Sequence, residues 1–456
     1  MMVEHRTQIT AVKSPKPSAS TTLSTSERIV ESALKLFFIH GYSQTSVAMI
    51  ARDVGISNSA FYRHFKSKEG VLFAVLETFS EDFTGALSVG MERAEGLEAK
   101  LRAFYSTILE VVGRDTRLYR VFTETEFNGY AFVRDFYSRV VAIVHDQLRG
   151  LVPAEFDLDD VGYYLLASVY LVAVKKTLWE SLFTVDGFCT QLVDFALYGI
   201  DARGDAPEGL VRLPEVSPRR EPEVRLSKGE RTQKNLLTAA EHIFGDQGYW
   251  NADIYSIARA AGVAPGTTYL YFESKLELLS RLVVEVNEGL RRHTAQAVRG
   301  LSDRRIIEVA ALESFCNYIR EHRDSYRVVR EAEFVDKDLG RWYYTRLSEP
   351  YTIVLERAMV AGEIRPGNPE ITALALMGVG HWLGLRWVLW SDHLDAEVSP
   401  AALTSSVRLV LHGLEGAVRR AASKADNDQR KGVKLTGRRG RANTAHRVAA
   451  SGRQND

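Results

Sequence analysis

Cysteine is nearly missing from this chain of 456 residues: Cys189 and Cys316 are its two, far apart in sequence. That leaves neither a disulfide framework nor a set of metal-spaced thiols, and it fits a reducing compartment. There is no excess of one charge either, because 58 basic side chains balance 58 acidic ones. A balanced total excludes a uniformly basic protein, but a local basic patch would still attract phosphates. Long hydrophobic runs are also lacking. Met1 to Thr25 is polar, with no apolar signal core, and the best apolar stretch, Tyr163 to Val174, stops at Lys175-Lys176. A membrane span needs ~20 apolar residues, so this reads as a buried core helix and no membrane partner is expected. No His-Glu-x-x-His, Gly-x-Ser-x-Gly or Walker loop occurs. Nothing supports an enzyme, a cofactor or a metal, and the expected location is cytoplasmic.

What the chain does have is an internal repeat. Sliding it by 207 positions brings Thr25, Ala33, Phe37, Gly41-Tyr42, Ile50-Ala51-Arg52, Gly55, Tyr62, Phe65 and Ser67-Lys68 onto Thr232, Ala240, Phe244, Gly248-Tyr249, Ile257-Ala258-Arg259, Gly262, Tyr269, Phe272 and Ser274-Lys275. The register holds far downstream, where Tyr119-Arg120-Val121, Glu124, Glu126 and Phe127 meet Tyr326-Arg327-Val328, Glu331, Glu333 and Phe334. After a small shift Leu178-Trp179 meets Leu389-Trp390. Two copies of one unit of ~200 residues explain this, not a short-period solenoid.

Within each copy the apolar period is helical. Ile29, Val30, Ala33, Leu34 and Phe37 predict a first helix stopped near Gly41. Val47, Ile50, Ala51 and Val54 predict a short second helix ended by Gly55, and Ala60, Phe61, Tyr62 and Phe65 a third. Long amphipathic stretches follow at 68–89, 94–113, 115–125, 131–150, 157–180 and 186–200. No stretch shows sustained strict alternation, so the fold class is all-α. The expected organisation is a disordered lead over 1–24, a head over 25–70 and a bundle over 71–200. A Pro-, Gly-, Arg- and Glu-rich linker over 201–227 leads to a second head over 228–277 and a second bundle over 278–420. A basic disordered tail closes the chain over 421–456.

The segment Thr45 to Tyr62 has helix-turn-helix character. A glycine can take the positive φ of a tight turn, Ser57 can cap the next helix, and a helix with a small, polar first turn fits the ~12 Å major groove. The pattern Gly41-Tyr42, Ile50-Ala51, Gly55-Ile56-Ser57, Tyr62, Phe65, Ser67-Lys68 resembles the TetR family closely. So does its repeat, Gly248-Tyr249, Ile257-Ala258, Gly262-Val263-Ala264, Tyr269, Phe272, Ser274-Lys275. The tandem layout also resembles regulators of mycobacterial and related actinobacterial lipid-uptake operons.

The resemblance implies two consecutive TetR-like units. Each would be a helix-turn-helix DNA-binding head plus a helical ligand-binding and dimerisation bundle, the whole a DNA-binding regulator, most simply a repressor. Its partners would be a double-stranded DNA operator and a small apolar effector. By resemblance Tyr62, Lys68, Tyr269 and Lys275 contact phosphate, with Thr45 and His64 as further phosphate contacts. Ser57, Asn58, Ala60 and Arg63 would read bases; the alternative for Arg63 is a solvated surface charge. The second head departs: Ala252, Leu270, Tyr271 and Glu273 replace Thr45, Arg63, His64 and Lys66. Its recognition helix begins Ala264-Pro265-Gly266-Thr267-Thr268, and proline is tolerated in a first helical turn. Pro265, Gly266, Thr267 and Tyr271 are its candidate contacts. Either both heads bind DNA, or the second unit only supplies a scaffold.

For an effector, Phe104, Tyr105, Ile108, Phe122, Phe127, Tyr137, Tyr170 and Trp179 are candidates to line a first cavity. Phe315, Tyr318, Phe334, Trp342, Tyr343, His381, Trp382 and Trp387 are candidates for a second. Simple core filling is the competing explanation for each. Glu124, Glu126, Glu331 and Glu333 recur in register, either as anchors for a cationic group or as structural salt-bridge partners. Helices 157–180 with 186–200, and 369–391 with 399–417, match the family's dimerisation bundle in position. Gly378, Gly380 and Gly384 would let helices approach closely there; a nucleotide-binding glycine loop is a poor alternative, because no strand precedes them. If the two units pack through these helices, one chain imitates a dimer with heads about one helical turn apart, ~34–36 Å. A homodimer of whole chains is the other possibility.

Overall fold

Glycines and hydroxyl caps set the helix boundaries. In the computed structural model, which describes residues 23–126, 130–179, 184–206, 226–391, 393 and 396–415, Ser24 opens the first helix, α1 (Thr25–Gln44). Its hydroxyl accepts from the Glu27 N–H at 3.2 Å, while the Glu27 carboxylate accepts from the Ser24 N–H at 2.7 Å. That reciprocal box satisfies two of the orphan donors of a helix start. Ser227 and Glu230 repeat it at the second unit's first helix, at 3.2 and 2.8 Å. Gly41, at φ 77°, breaks α1 near its end, and Gly248, at φ 78°, caps the matching helix. A side chain is disfavoured there, so both units turn at the same place.

The first unit continues with α2 (Val47–Val54), α3 (Asn58–Phe61), α4 (Lys68–Glu92), α5 (Leu97–Arg114), α6 (Thr116–Thr125), α7 (Tyr130–Leu148), α8 (Leu158–Leu178) and α9 (Val185–Tyr198). The second repeats the order with α10 (Lys228–Gln247), α11 (Ile254–Ala260), α12 (Pro265–Thr268), α13 (Lys275–Ala297), α14 (Arg304–Glu321), α15 (Arg323–Val335), α16 (Lys337–Val360) and α17 (Pro369–Gly384). A π-helical turn, Leu385–Leu389, prolongs α17, and residues 400–415 form α18. Among the described residues the sole β-feature is one antiparallel bridge, Asp201 to Ile364. Pro369–Leu389 is long and apolar enough to cross a membrane by composition, but most of it is buried inside the protein, as a core helix is.

The two units meet through the helices that end each of them, and equivalent residues meet each other. α8 packs on α17 more extensively than any other pair. Gly378 lies so close to the Ala167 carbonyl that a Cβ on it would collide. In the shifted register these two residues occupy the same place in their units. So do Tyr170 and His381, whose rings stack at 4.8 Å. Gly199 abuts the backbone of Leu411 and His412, and Gly413 abuts that of Leu197 and Tyr198. Self-matching contacts of this kind mark a twofold axis; here it is a pseudo-axis within one chain.

The first unit does not end at residue 200. The Ile200 and Asp201 N–H groups donate to the Val410 and Leu411 carbonyls, at 2.9 and 2.8 Å. The Asp201 carboxylate accepts from the Arg203, Gly204 and Ala206 N–H groups and, at 2.8 Å, from buried Arg305. Residues 201–206, expected as the start of a linker, are therefore docked. The rest of that linker, 207–225, and the expected lead over 1–22 and tail over 421–456 lie outside the described residues.

Candidate functional site: two unlike heads and one hollow body

In the first head, Ser46 caps α2 by accepting from the Met49 N–H, and Gly55 closes it in the left-handed region at φ 77°. Ser57 then caps α3 by accepting from the Ala60 N–H at 3.1 Å. Phe61, fully buried, fixes α3 to the core, and hydrogen bonds carry the helical turn on to Phe65. The face left outward holds Ser57, Asn58, Tyr62, Arg63 and His64, with Ala60 half-exposed. Tyr62 is 55% exposed, its ring resting edge-on against Phe61. A short helix anchored by one aromatic and offering small, polar and basic groups has the shape of a major-groove reader.

The second head is built by the same means and offers different chemistry. Asp253 caps α11, Gly262 turns the chain at φ 73°, and Pro265 opens α12. Gly266 and Tyr269 are exposed, Pro265, Thr267 and Tyr271 are half-buried, and Leu270 is 81% exposed. Where the first head shows Arg63, His64 and Lys66, the second shows Leu270, Tyr271 and Glu273.

At three of the expected phosphate contacts the side chain is turned inward. The Thr45 side chain is buried, and its hydroxyl donates to the Gly41 and Leu36 carbonyls at 2.9 and 3.2 Å. Lys68 turns inward: its ammonium donates to the Tyr42 and Thr45 carbonyls at 2.7 and 2.8 Å and lies 4.2 Å from the Tyr42 ring centroid. Lys275 does the same with the Tyr249 and Ala252 carbonyls, at 2.8 and 2.9 Å, over the Tyr249 ring. These lysines tie off the loop after the first helix of each unit by donating to its carbonyls. Burial pushes the pKa of both downward.

The same loop is held from the body side. The Glu124 carboxylate accepts from the Tyr42 N–H at 3.0 Å, and Glu331 accepts from the Tyr249 N–H at 2.8 Å. Burial raises Glu124 to about 7 and also raises Glu331. Each glutamate is thus a joint between a head and the bundle behind it. The in-register recurrence of these acids was the signal for this; what each one grips is settled only by the fold.

Glu126 and Glu333 serve a different purpose. Glu126, fully buried, accepts from the Tyr137 and Tyr170 hydroxyls, both at 2.6 Å. Arg330 reaches it from the second unit at 3.5 Å, pairs with Glu333 at 3.0 Å, and donates to the Tyr170 hydroxyl at 2.7 Å and to that of Tyr344. One cation therefore joins two buried acids across the pseudo-axis. Burial raises both carboxyls, Glu333 to about 7.

Behind the second head lies a cavity of ≈ 480 Å³ between α13, α14, α16 and α17. Phe315, Tyr343 and His381 line it, as expected. Phe334 and Trp382 do not. Phe334 borders two polar clefts elsewhere, and Trp382 crosses the pseudo-axis to stand edge-on to Tyr137 at 4.5 Å. In the first unit Phe104, Ile108, Phe122, Tyr137 and Tyr170 are buried in packed core. Phe79, Phe83, Phe122 and Phe136 interlock at centroid distances of 4.7–5.7 Å, so these aromatics fill space. Phe127 lies outside the described residues.

Comparison with known proteins matches the two heads separately. Residues 29–75 and 236–282 each match the domain family described as bacterial regulatory proteins, tetR family. The HTH-type transcriptional activator FasR of Mycolicibacterium smegmatis is 36% identical over 111 residues, covering 24% of this chain and 50% of the relative. The HTH-type transcriptional regulator TcmR of Streptomyces glaucescens is 34% identical over 84 residues, 18% of this chain and 37% of the relative. The chain thus spans half or less of these curated relatives. Among solved structures, the fatty acid degradation regulator FadR from Bacillus halodurans aligns at TM-score 0.34 and 18% identity, over 39% of this chain and 96% of that one. PfmR from Thermus thermophilus aligns at TM-score 0.34 and 19% identity, over 40% and 98%.

Proposed function

Because the chain belongs to the tetR family of helix-turn-helix transcription regulators, with that family's DNA-binding domain in each half, we propose that both heads read DNA together. In this reading a single chain acts as a pseudo-dimer on an operator with two unlike half-sites. The observation that carries it is the pairing of two differently faced heads on bodies joined through α8, α9, α17 and α18. Polar and basic side chains at the first head favour hydrogen-bonding base edges, whereas Leu270 and Thr267 suit a thymine methyl. Phosphate attraction falls mainly to Tyr62, Arg63, His64, Tyr269 and the helix N-termini. The protein works in the cytoplasm as a repressor, released when a small apolar effector favours the state that cannot hold DNA.

Footprinting on the DNA upstream of its own gene, with the mass of the complex, tests this. One chain on one non-palindromic site is expected. A short perfect palindrome holding two chains, each through its first head, would sink the reading.

A second reading has an observation of its own. Loss of Arg63, His64 and Lys66 from the second head weakens its phosphate attraction, which would suit a unit that only senses or scaffolds. Tyr269→Ala separates the two readings: a scaffold loses no DNA affinity, a reader does.

A further inference from the structure

The cavity behind the second head is a consequence of particular substitutions between the repeats. In the 207-residue register, Leu290, Ala311 and Tyr343 in its wall stand where the first unit has Phe83, Phe104 and Phe136. A fourth difference comes from across the pseudo-axis. Trp382 fills the first unit against Tyr137; its equivalent, Leu171, is the first unit's contribution to the cavity wall. Three of these exchanges, Leu290 for Phe83, Ala311 for Phe104 and Leu171 for Trp382, put a smaller side chain where the other body has a large ring, so space that is filled in one body stays open in the other; Tyr343 keeps the ring of Phe136 and adds a hydroxyl.

The wall also carries polar groups that the filled body lacks. Arg304, Glu308 and Tyr351 replace Leu97, Leu101 and Val144. They satisfy one another: Arg304 Nε donates to Glu308 Oε1 at 2.6 Å, and the Tyr351 hydroxyl bonds the other carboxylate oxygen. Their charges cancel, so they ask for no ion. His381 differs. It is 3% exposed, Tyr170 stacks on its ring, and its Nδ1 is bonded to the Tyr326 hydroxyl. Its Nε2 is buried with no hydrogen-bond partner. Burial, aided by nearby Arg330, holds its pKa well below the ordinary histidine value, so the ring is neutral. Either tautomer leaves one bond unmade at Nε2, and a buried polar atom without a partner is costly in a dry site.

We propose that the second unit alone holds the effector site, and that its occupant is a neutral, largely apolar molecule whose hydroxyl or carbonyl bonds Nε2 of His381. This deepens the effector-controlled reading above and rests on it. A hydroxyl serves whichever tautomer is present. An anion finds no buried cation left to pair with: the interior pair is already closed, and the other cation in the wall, Arg291, is exposed to solvent.

Calorimetry on the full chain with 1-decanol, decanoate and 1-chlorodecane tests it. One 1-decanol per chain is expected, with the other two at least tenfold weaker. His381→Phe should erase the advantage of 1-decanol over 1-chlorodecane. Ala311→Phe and Leu171→Trp, which copy the filled body, should each abolish uptake while thermal melting shows the chain still folded. Two molecules per chain, equal affinity for all three probes, preference for decanoate, full uptake by both filled variants, or no uptake at all would each overturn the site. DNA affinity measured on the same samples keeps the two ideas apart. Uptake of 1-decanol with no change in DNA affinity counts against effector control and leaves the site standing. DNA binding without uptake does the reverse.

Discussion

The two halves share an order of helices and diverge in opposite directions. The first pairs a polar, basic recognition face with a body whose described core is filled by rings such as Phe79, Phe83, Phe104 and Phe136. The second pairs a face led by Leu270 with a body that is hollow. A dimer of identical subunits must put every property into both copies. A fused pair can change one copy at a time, and here the changes to head and body fall at residues that leave the shared joints intact. Gly41 and Gly248, Lys68 and Lys275, and Glu124 and Glu331 are retained in both halves. The scaffold of each head is thus separable from what it shows to DNA.

The sharpest way to break the comparison is at the residue present on one side of the axis only. Arg330→Met should leave Glu126 and Glu333 buried without their cation. Removing one partner of a buried ion pair typically costs about 3–5 kcal/mol, measured by urea unfolding. The equivalent position in the first unit, Thr123→Met, should cost far less.

Next in size are the joints. The folded-state pKa of Glu124 is raised from 4.5 to about 7. A raised carboxyl means the folded state binds more protons than the unfolded one across that window. Stability therefore falls as pH rises from about 4.5 to about 7, by at most about 3 kcal/mol at 1.36 kcal/mol per unit. Glu124→Gln should flatten this part of a stability–pH curve and keep an acceptor for the Tyr42 N–H. Glu331→Gln should act in the same direction. A variant curve parallel to that of the wild type would show that Glu124 does not titrate there.

Smaller still is the effect of the inward lysines. Lys68→Met and Lys275→Met each remove a charged donor from carbonyls of a half-buried loop and should lower stability by about 1–3 kcal/mol. DNA binding by Lys68→Met should weaken with its salt slope unchanged, since no phosphate contact is lost; a slope reduced by about one would restore the lysine to the interface. The smallest effect sharpens the comparison of heads. Arg63→Leu should reduce the salt slope by about one, and Leu270→Arg should raise it by about one. Equal slopes for both variants and the wild type would place neither residue at the DNA.

Much of the fold was legible in the sequence, because helical period, capping residues and glycine stops agree with one another at each boundary. The stretches expected over 115–125 and 131–150 are helices Thr116–Thr125 and Tyr130–Leu148. The outward face of the first head was legible too, since Phe61 and Phe65 leave their neighbours nowhere to go but out. Which way a long side chain turns was not. Lys68 and Thr45 look like phosphate ligands until the loop carbonyls they satisfy are seen. Nor could aromatic content distinguish lining from filling: Phe104 and Phe315 are alike in sequence, yet Phe104 is buried in packed core while Phe315 lines a cavity that Leu290 and Leu171 leave open.

The close approach of Gly378 to Ala167 has a further consequence. Were the first half to pair with itself, Ala167 would meet Ala167, and the methyl group would strike backbone where the glycine now slips in. Two copies of Glu126 would also come together with no arginine between them. The first half is therefore poorly equipped to form a dimer of its own, and its fitting mate is supplied on the same polypeptide. Such a pair does not come apart on dilution. Occupancy of DNA by a regulator that must first dimerise falls steeply when only a few copies are present in a cell; occupancy by this chain should fall no faster than in proportion to its copy number.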